Sequence, residues 1–165
     1  MSFFKKLFGK KRAEPGAQTG LDDELKHWRI LDMRNGDERV IARVRINRPD
    51  LPDLAAFRTA VSVVWPFEGD EGWPDPETKA AMDSFEDALI ELSSENDFSY
   101  LMLVRTGLGA RVWLYYTADL ARFTSELESR TSALGEPPIR VEATVDPEWG
   151  EWSMVVRRAQ LTTDA

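Results

Sequence analysis

Apolar and polar residues alternate with a period of two along residues 39–46, which is the period of a β-strand. Asn35-Gly36, between this segment and the segment 28–33, is a strong hairpin signal. We predict strands over residues 28–33 and 39–46, joined by that turn. Residues 100–104 and 112–116 are apolar throughout and lie on either side of a glycine turn. A second hairpin is predicted over 99–117, with Gly107-Leu108 as the central pair of a type II′ turn.

Two segments have helical rather than strand spacing. Asp75-Pro76 combines an N-cap residue with proline and predicts a helix that runs to about Ser93. A second helix is predicted to follow Thr117, which would be its N-cap, and to end at Gly135. Residues 60–66, which include three valines and a tryptophan, predict a buried strand before the first helix. Residues 139–145 are predicted to form a last strand. Val141, Ala143 and Val145 are predicted to form its buried face.

From residue 60 onward the predicted order is strand, helix, strand, strand, helix, strand. This order indicates an α+β fold, a ferredoxin-like split βαβ sandwich with two helices on one face of an antiparallel sheet. An N-terminal β-hairpin precedes it and either extends the sheet or packs across it. We divide the chain into a basic amphipathic tail and linker (1–20), a single α+β domain (21–155) and a C-terminal tail (156–165).

The register of the central hairpin predicts a binding surface. A turn at Gly107-Leu108 places Leu101, Leu103, Leu114 and Tyr116 on one face, toward the helices. The opposite face is rich in aromatic residues and arginine, which dominate protein interfaces. The predicted binding residues are Tyr100, Met102, Arg111, Trp113 and Tyr115. The competing interpretation is that this face packs under the N-terminal hairpin or under the segment that contains Trp149 and Trp152.

Composition narrows the function classes. The chain has 165 residues, a net charge of −8 and no cysteine, which favours one domain in a reducing, cytoplasmic compartment and excludes disulfides and cysteine nucleophiles. An acidic domain repels phosphate backbones, so no nucleic acid partner is expected. Gly107-Leu108-Gly109 lacks the third glycine of a dinucleotide loop, and no phosphate loop or hydrolase motif is present. No cofactor is predicted.

These features favour a non-enzymatic binding or regulatory module, whose partner is an unidentified protein or a second copy of the chain. The alternative is an enzyme with a carboxylate and arginine site near the acidic loop 68–77, formed for example by Glu68, Asp70 and Arg111. Glu68, Asp70 and Glu71 are also weak candidates for a hard cation such as Ca²⁺, although their spacing matches no known loop pattern.

Four motifs carry a resemblance to a known family. VSVVWPFEGDEGWP, MDSFEDAL, TGLGARVWLYYTAD and VDPEWGEW occur in this order over residues 25–152, and the sequence resembles the bacterial family catalogued as domain of unknown function 695. In some members such a domain is joined to one similar to the regulator of ribonuclease activity B, a ferredoxin-like protein that inhibits an RNA-degrading enzyme by binding it. The resemblance implies no catalytic residues.

The first dozen residues form a basic amphipathic segment. On a helical wheel its apolar residues fall on one side with lysines around them, a pattern typical of peripheral contact with an anionic membrane or a partner. The alternative is a disordered, solubilising tail. The residues concerned are Phe3, Phe4, Lys5, Lys6, Leu7, Phe8, Lys10 and Lys11.

Deleting residues 2–12 is expected to abolish co-sedimentation with anionic liposomes, because each basic residue near the lipid contributes about 1 kcal/mol to binding. Neutral liposomes are the control. If the full-length protein does not bind anionic liposomes, the membrane hypothesis is wrong.

Overall fold

The computed structural model describes residues 26–90, 92 and 98–163, so the basic segment and its predicted membrane contact lie outside the described residues. Over these described residues the architecture is α+β, a six-stranded antiparallel sheet with three helices. The sheet order is β1-β2-β4-β5-β3-β6, and the N-terminal hairpin therefore extends the sheet. The strands are β1 (Trp28–Asn35), β2 (Glu38–Arg45), β3 (Thr59–Pro66), β4 (Ser99–Gly107), β5 (Ala110–Thr117) and β6 (Arg140–Val145).

The helices are α1 (Pro76–Ala88), α2 (Leu120–Thr131) and α3 (Gly150–Thr163). The predicted cap of α1 is confirmed, since the Asp75 carboxylate accepts hydrogen bonds from the N–H groups of Glu77 and Thr78. The predicted cap of α2 is wrong: Asp119 caps that helix, and Thr117 is the last residue of β5. No helix within the described part of the chain is long and apolar enough to cross a membrane.

The sheet separates two hydrophobic clusters. On the α1/α2 face, Val61, Val63 and Trp113 pack with residues from both helices, among them Phe85 and Phe123. On the opposite face, called here the α3 face, Ala42, Val44, Leu114 and Tyr116 pack with Trp149, Trp152, Val156 and Ala159. Burial of apolar area on both faces is the main force that assembles the fold.

The turn of the central hairpin lies one residue later than predicted, so each predicted cross-strand partner is wrong by two residues. Leu108 (φ 57°) and Gly109 (φ 72°) form the turn, with Gly107 opposite Ala110; two positive φ values define a type I′ turn rather than type II′. Gly107 also has a positive φ (136°), and a Cβ at this position would lie 2.5 Å from the Arg39 carbonyl oxygen. A shift of register between Leu101 and Leu103 adds a bulge at Met102.

Helix α3 was not predicted from the sequence. It runs through residue 156, where we placed the start of a C-terminal tail, and it buries Val156 and Ala159 on the sheet. Its first turn is fixed by aromatic contacts: Trp149 stacks on Tyr116 with ring centroids 4.0 Å apart, and Trp152 donates from Nε1 to the Arg45 carbonyl oxygen at 2.6 Å. The predicted folding of the Trp149 segment over the sheet thus takes place through a helix.

Asp146 joins β6 to α3. Its carboxylate accepts hydrogen bonds from the Tyr116 hydroxyl at 2.6 Å and from the N–H groups of Gly150 and Glu151 at 2.8 and 3.0 Å. Burial alone would raise the pKa of Asp146, but these hydrogen bonds and the charge of Arg48 outweigh it and lower the pKa. The ionised form is therefore the one that holds the start of α3.

Replacing Asp146 by alanine is expected to lower the free energy of unfolding at pH 7 by about 1 kcal/mol. Because the folded-state pKa lies below the unfolded value of about 3.9, the contribution of Asp146 is complete above that pH and is lost as the pH falls through the folded pKa. Urea titrations between pH 7 and pH 3 should show the two proteins converging in acid. A difference that stays constant over this range would contradict the assigned role.

Candidate functional site

The five predicted binding residues do not share a face. Arg111, Trp113 and Tyr115 point to the α1/α2 face, whereas Tyr100 and Met102 point to the α3 face. The cause is the bulge at Met102, since the extra residue reverses the side on which Tyr100 and Met102 project. The displaced turn does not contribute, because it changes each cross-strand partner by two residues and so keeps the faces.

These side chains are also covered within the chain. Met102, Trp113 and Tyr115 have no exposed surface, Arg111 is 5% exposed, and Tyr100 is half-buried against Phe57. Trp113 lies under Phe85 of α1, with ring centroids 5.2 Å apart. The face that we assigned to a partner is thus the face that α1 and α2 occupy, and the face that we assigned to those helices is covered by α3.

A cluster of charged side chains, buried at its centre, lies between α1 and the sheet. The Glu86 carboxylate accepts from the Arg43 guanidinium with both oxygens at 2.8 Å, and from the Trp113 indole N–H at 2.9 Å. Arg111 donates to Asp83 at 2.8 Å and lies 3.8 Å from Glu86. Glu86 is 3% exposed, so its charge depends on these partners for stabilisation.

In this cluster each charged side chain has a neighbour of opposite charge. Burial lowers the pKa of the Arg43 guanidinium, and the charge of Glu86 opposes that effect. Burial would raise the pKa of Asp83, but hydrogen bonds and charges from Lys79 and Arg111 lower it. Each carboxylate is bonded to a cation, which suits a contact that holds α1 on the sheet rather than a group that must exchange protons with a substrate.

Sequence reasoning missed Glu86, which is not among the predicted site residues. Glu86 lies four residues after Met82 and three before Leu89, and both are fully buried. Helical neighbours at these spacings share a face. A carboxylate between two core positions, with arginines on the strands opposite, was the signal that could have identified the network.

The acidic loop does not join Arg111. Glu68, Asp70 and Glu71 are exposed between β3 and α1, and the hydrogen bonds of Arg111 go to Thr106 and Asp83. Glu68 and Glu77 line an open cavity of about 330 Å³, together with Trp65, Pro66, Phe67, Thr78, Ala81 and Pro138. Within the described ranges, no three histidine, cysteine or acidic side chains are placed to share a metal ion.

Strand β6 is the least covered part of the sheet. All six of its residues are exposed, including Val141 at 40% and Val145 at 64%. The prediction that Val141, Ala143 and Val145 form a buried face is therefore wrong. These side chains do point to the α1/α2 face, because they pair with Val63, Val61 and Thr59 of β3, but the helices leave them exposed. β6 has β3 as its one neighbour in the described sheet, so no described strand pairs with its outer edge.

The other edge strand, β1, differs from β6 in its side chains. β1 carries Arg29, Asp32 and Arg34 at exposed positions, and charges of this kind protect a sheet edge from pairing with another chain. β6 contains no lysine, proline or glycine, and its two charges pair with each other, since Arg140 donates to Glu142 at 2.8 Å. Among the surfaces that the structure describes, the β6 edge is thus the best candidate for an interaction with protein.

Replacing Glu86 by glutamine is expected to lower the free energy of unfolding by about 3 kcal/mol, because Arg43 and Arg111 then lose the charge that compensates theirs. Lys79→Ala is the matched control: it removes the half-exposed partner of Asp83 on the same helix and should cost about 0.5 kcal/mol. Chemical denaturation measures both. Similar losses for the two variants would mean that the buried pair does not hold α1.

The chain was also compared with known proteins. Residues 26–153 match a family described as a family of unknown function, DUF695, in agreement with the motifs identified in the sequence. No curated protein and no solved structure matches the chain. The match covers well over half of the 165 residues, and the chain therefore belongs to the DUF695 family.

Proposed function

We propose that this chain is a non-enzymatic binding or regulatory module that associates with protein through the outer edge of β6. The observation that carries the proposal is an edge strand with six exposed residues and apolar side chains at Val141 and Val145. An extended segment that adds to such an edge gains main-chain hydrogen bonds, and alternate side chains supply specificity. The surface is thus the sheet edge rather than the aromatic face that the sequence suggested.

The proposed fold type fits this use of the edge. The order β4-β5-β3-β6, with α1 after β3 and α2 after β5, supports a ferredoxin-like split βαβ unit to which the β1–β2 hairpin adds two strands. In this arrangement the hairpin covers the outer edge of β4, and β6 keeps the other edge. The absence of cysteine supports a cytoplasmic location, where disulfides do not form.

The alternative of a carboxylate and arginine enzyme site receives less support. It requires Arg111 beside Glu68 or Asp70, whereas Arg111 is 5% exposed and bonded to Asp83 on α1. An arginine held in this way would have to break a charged hydrogen bond in order to reach a substrate. The open cavity at Glu68 and Glu77 contains no arginine in its lining.

A photoreactive side chain at Val141 is expected to give a covalent adduct with protein when the full chain is illuminated in living cells. Ile30 is the matched control, since it is 50% exposed on the opposite edge strand. An adduct from position 141 but not from position 30, lost when Ala143→Pro is added, supports binding through β6. Equal labelling from both positions, or no adduct with another protein molecule from position 141, would contradict it.

A further inference from the structure

We propose that the occupant of the β6 edge is a second copy of this chain, paired antiparallel to the first around a two-fold axis at Ala143. This inference rests on the proposed function and names the partner of the same edge. It follows from which backbone groups of β6 point outward, which registers a two-fold axis permits, and which of those registers brings compatible side chains together.

The direction of the backbone groups is set by the bond that closes the β3–β6 ladder. The Asp146 N–H donates to the Arg58 carbonyl oxygen at 2.7 Å, so residue 146 directs its backbone toward β3. In an antiparallel ladder this direction alternates along the strand. Residues 140, 142 and 144 therefore also face β3, and the N–H and C=O groups of Val141, Ala143 and Val145 face outward.

The alternation permits a two-fold axis at any residue, and axes at residues 141 to 144 pair the most of β6. An axis at Thr144 places Glu142 opposite the acidic Asp146 and Val141 opposite Pro147, which has no N–H to donate. A centre at Glu142 sets two glutamates directly opposite each other, which is destabilising. A centre at Val141 places Pro137 opposite Val145, at a position where the strand must donate an N–H that proline lacks. A centre at Ala143 has none of these pairings.

The Ala143 register also matches the exposed side chains. It places Val141 of each copy opposite Val145 of the other, so that the two exposed valines cover their counterparts on the α1/α2 face. On the α3 face, Glu142 lies opposite Thr144, and Arg140 lies opposite the acidic Asp146. All six residues of β6 then take part, and each outward N–H and C=O group finds a partner.

The charge of β6 removes one obstacle to self-pairing. The chain as a whole carries a net charge of −8, which makes two copies repel each other. Within β6, however, Arg140 and Glu142 neutralise each other at 2.8 Å, so the strand itself brings no excess charge to the contact. Added salt should strengthen the association by screening the remaining repulsion.

A single-cysteine experiment tests the register, since the chain contains no cysteine of its own. Mild oxidation of full-length Ala143→Cys should give a disulfide-linked dimer, because two residues at the axis have Cα atoms about 5.5 Å apart. Val141→Cys should not, since its counterpart lies several residues away. Ile30→Cys, on the other edge, is the second control. A dimer from Val141→Cys or Ile30→Cys alone would overturn the proposed pairing.

Sedimentation equilibrium tests the association itself without any substitution. The wild-type protein should approach twice the monomer mass as its concentration rises, and Ala143→Pro, checked for folding by circular dichroism, should remain at the monomer mass. If the wild type stays monomeric and Ala143→Cys does not crosslink, self-pairing is wrong. If Val141 then still forms a photo-adduct with a different protein, the proposed binding function stands; if no adduct forms, both proposals fall.

Discussion

The structure depends on the fact that β5 carries large apolar side chains on both of its faces. Trp113 and Tyr115 project to one side and Leu114 and Tyr116 to the other, and all four are buried. A strand of this kind is stable only if both faces of its sheet are covered. Helices α1 and α2 cover one face, and α3, fixed by the stacking of Trp149 on Tyr116, covers the other. With both faces covered at its centre, the sheet meets solvent mainly at its edge strands, and in β6 the two charges, Arg140 and Glu142, pair with each other.

Much of this architecture can be predicted from local sequence patterns. The Asn35-Gly36 hairpin and the capped start of α1 at Asp75 follow from backbone chemistry that acts over a few residues. The register of the central hairpin does not, because Gly107-Leu108-Gly109 allows two turns, one residue apart, whose cross-strand pairings differ by two residues. The bulge at Met102 has no local signature, and it moved Tyr100 and Met102 to the α3 face.

The remaining differences between the sequence-based predictions and the structure arise from tertiary contacts. Alternation along β6 predicts two faces but does not reveal whether a helix reaches the strand, so Val141 and Val145 were expected in the core. Helix α3 was missed because we ended the domain at residue 155, although Trp149, Trp152, Val156 and Ala159 recur at helical spacing. Glu86 was not among the predicted site residues, because its burial depends on Arg43, which comes from a distant strand.

The most direct test of the open edge is amide hydrogen exchange, resolved by residue with NMR, at low and high protein concentration. In dilute solution the amides of residues 140, 142 and 144 should be protected by β3, whereas those of Val141, Ala143 and Val145 should exchange rapidly. At high concentration these three outward amides should become protected as a second β6 strand pairs with them. Rates for these three amides that do not change with concentration would contradict pairing of two copies through β6.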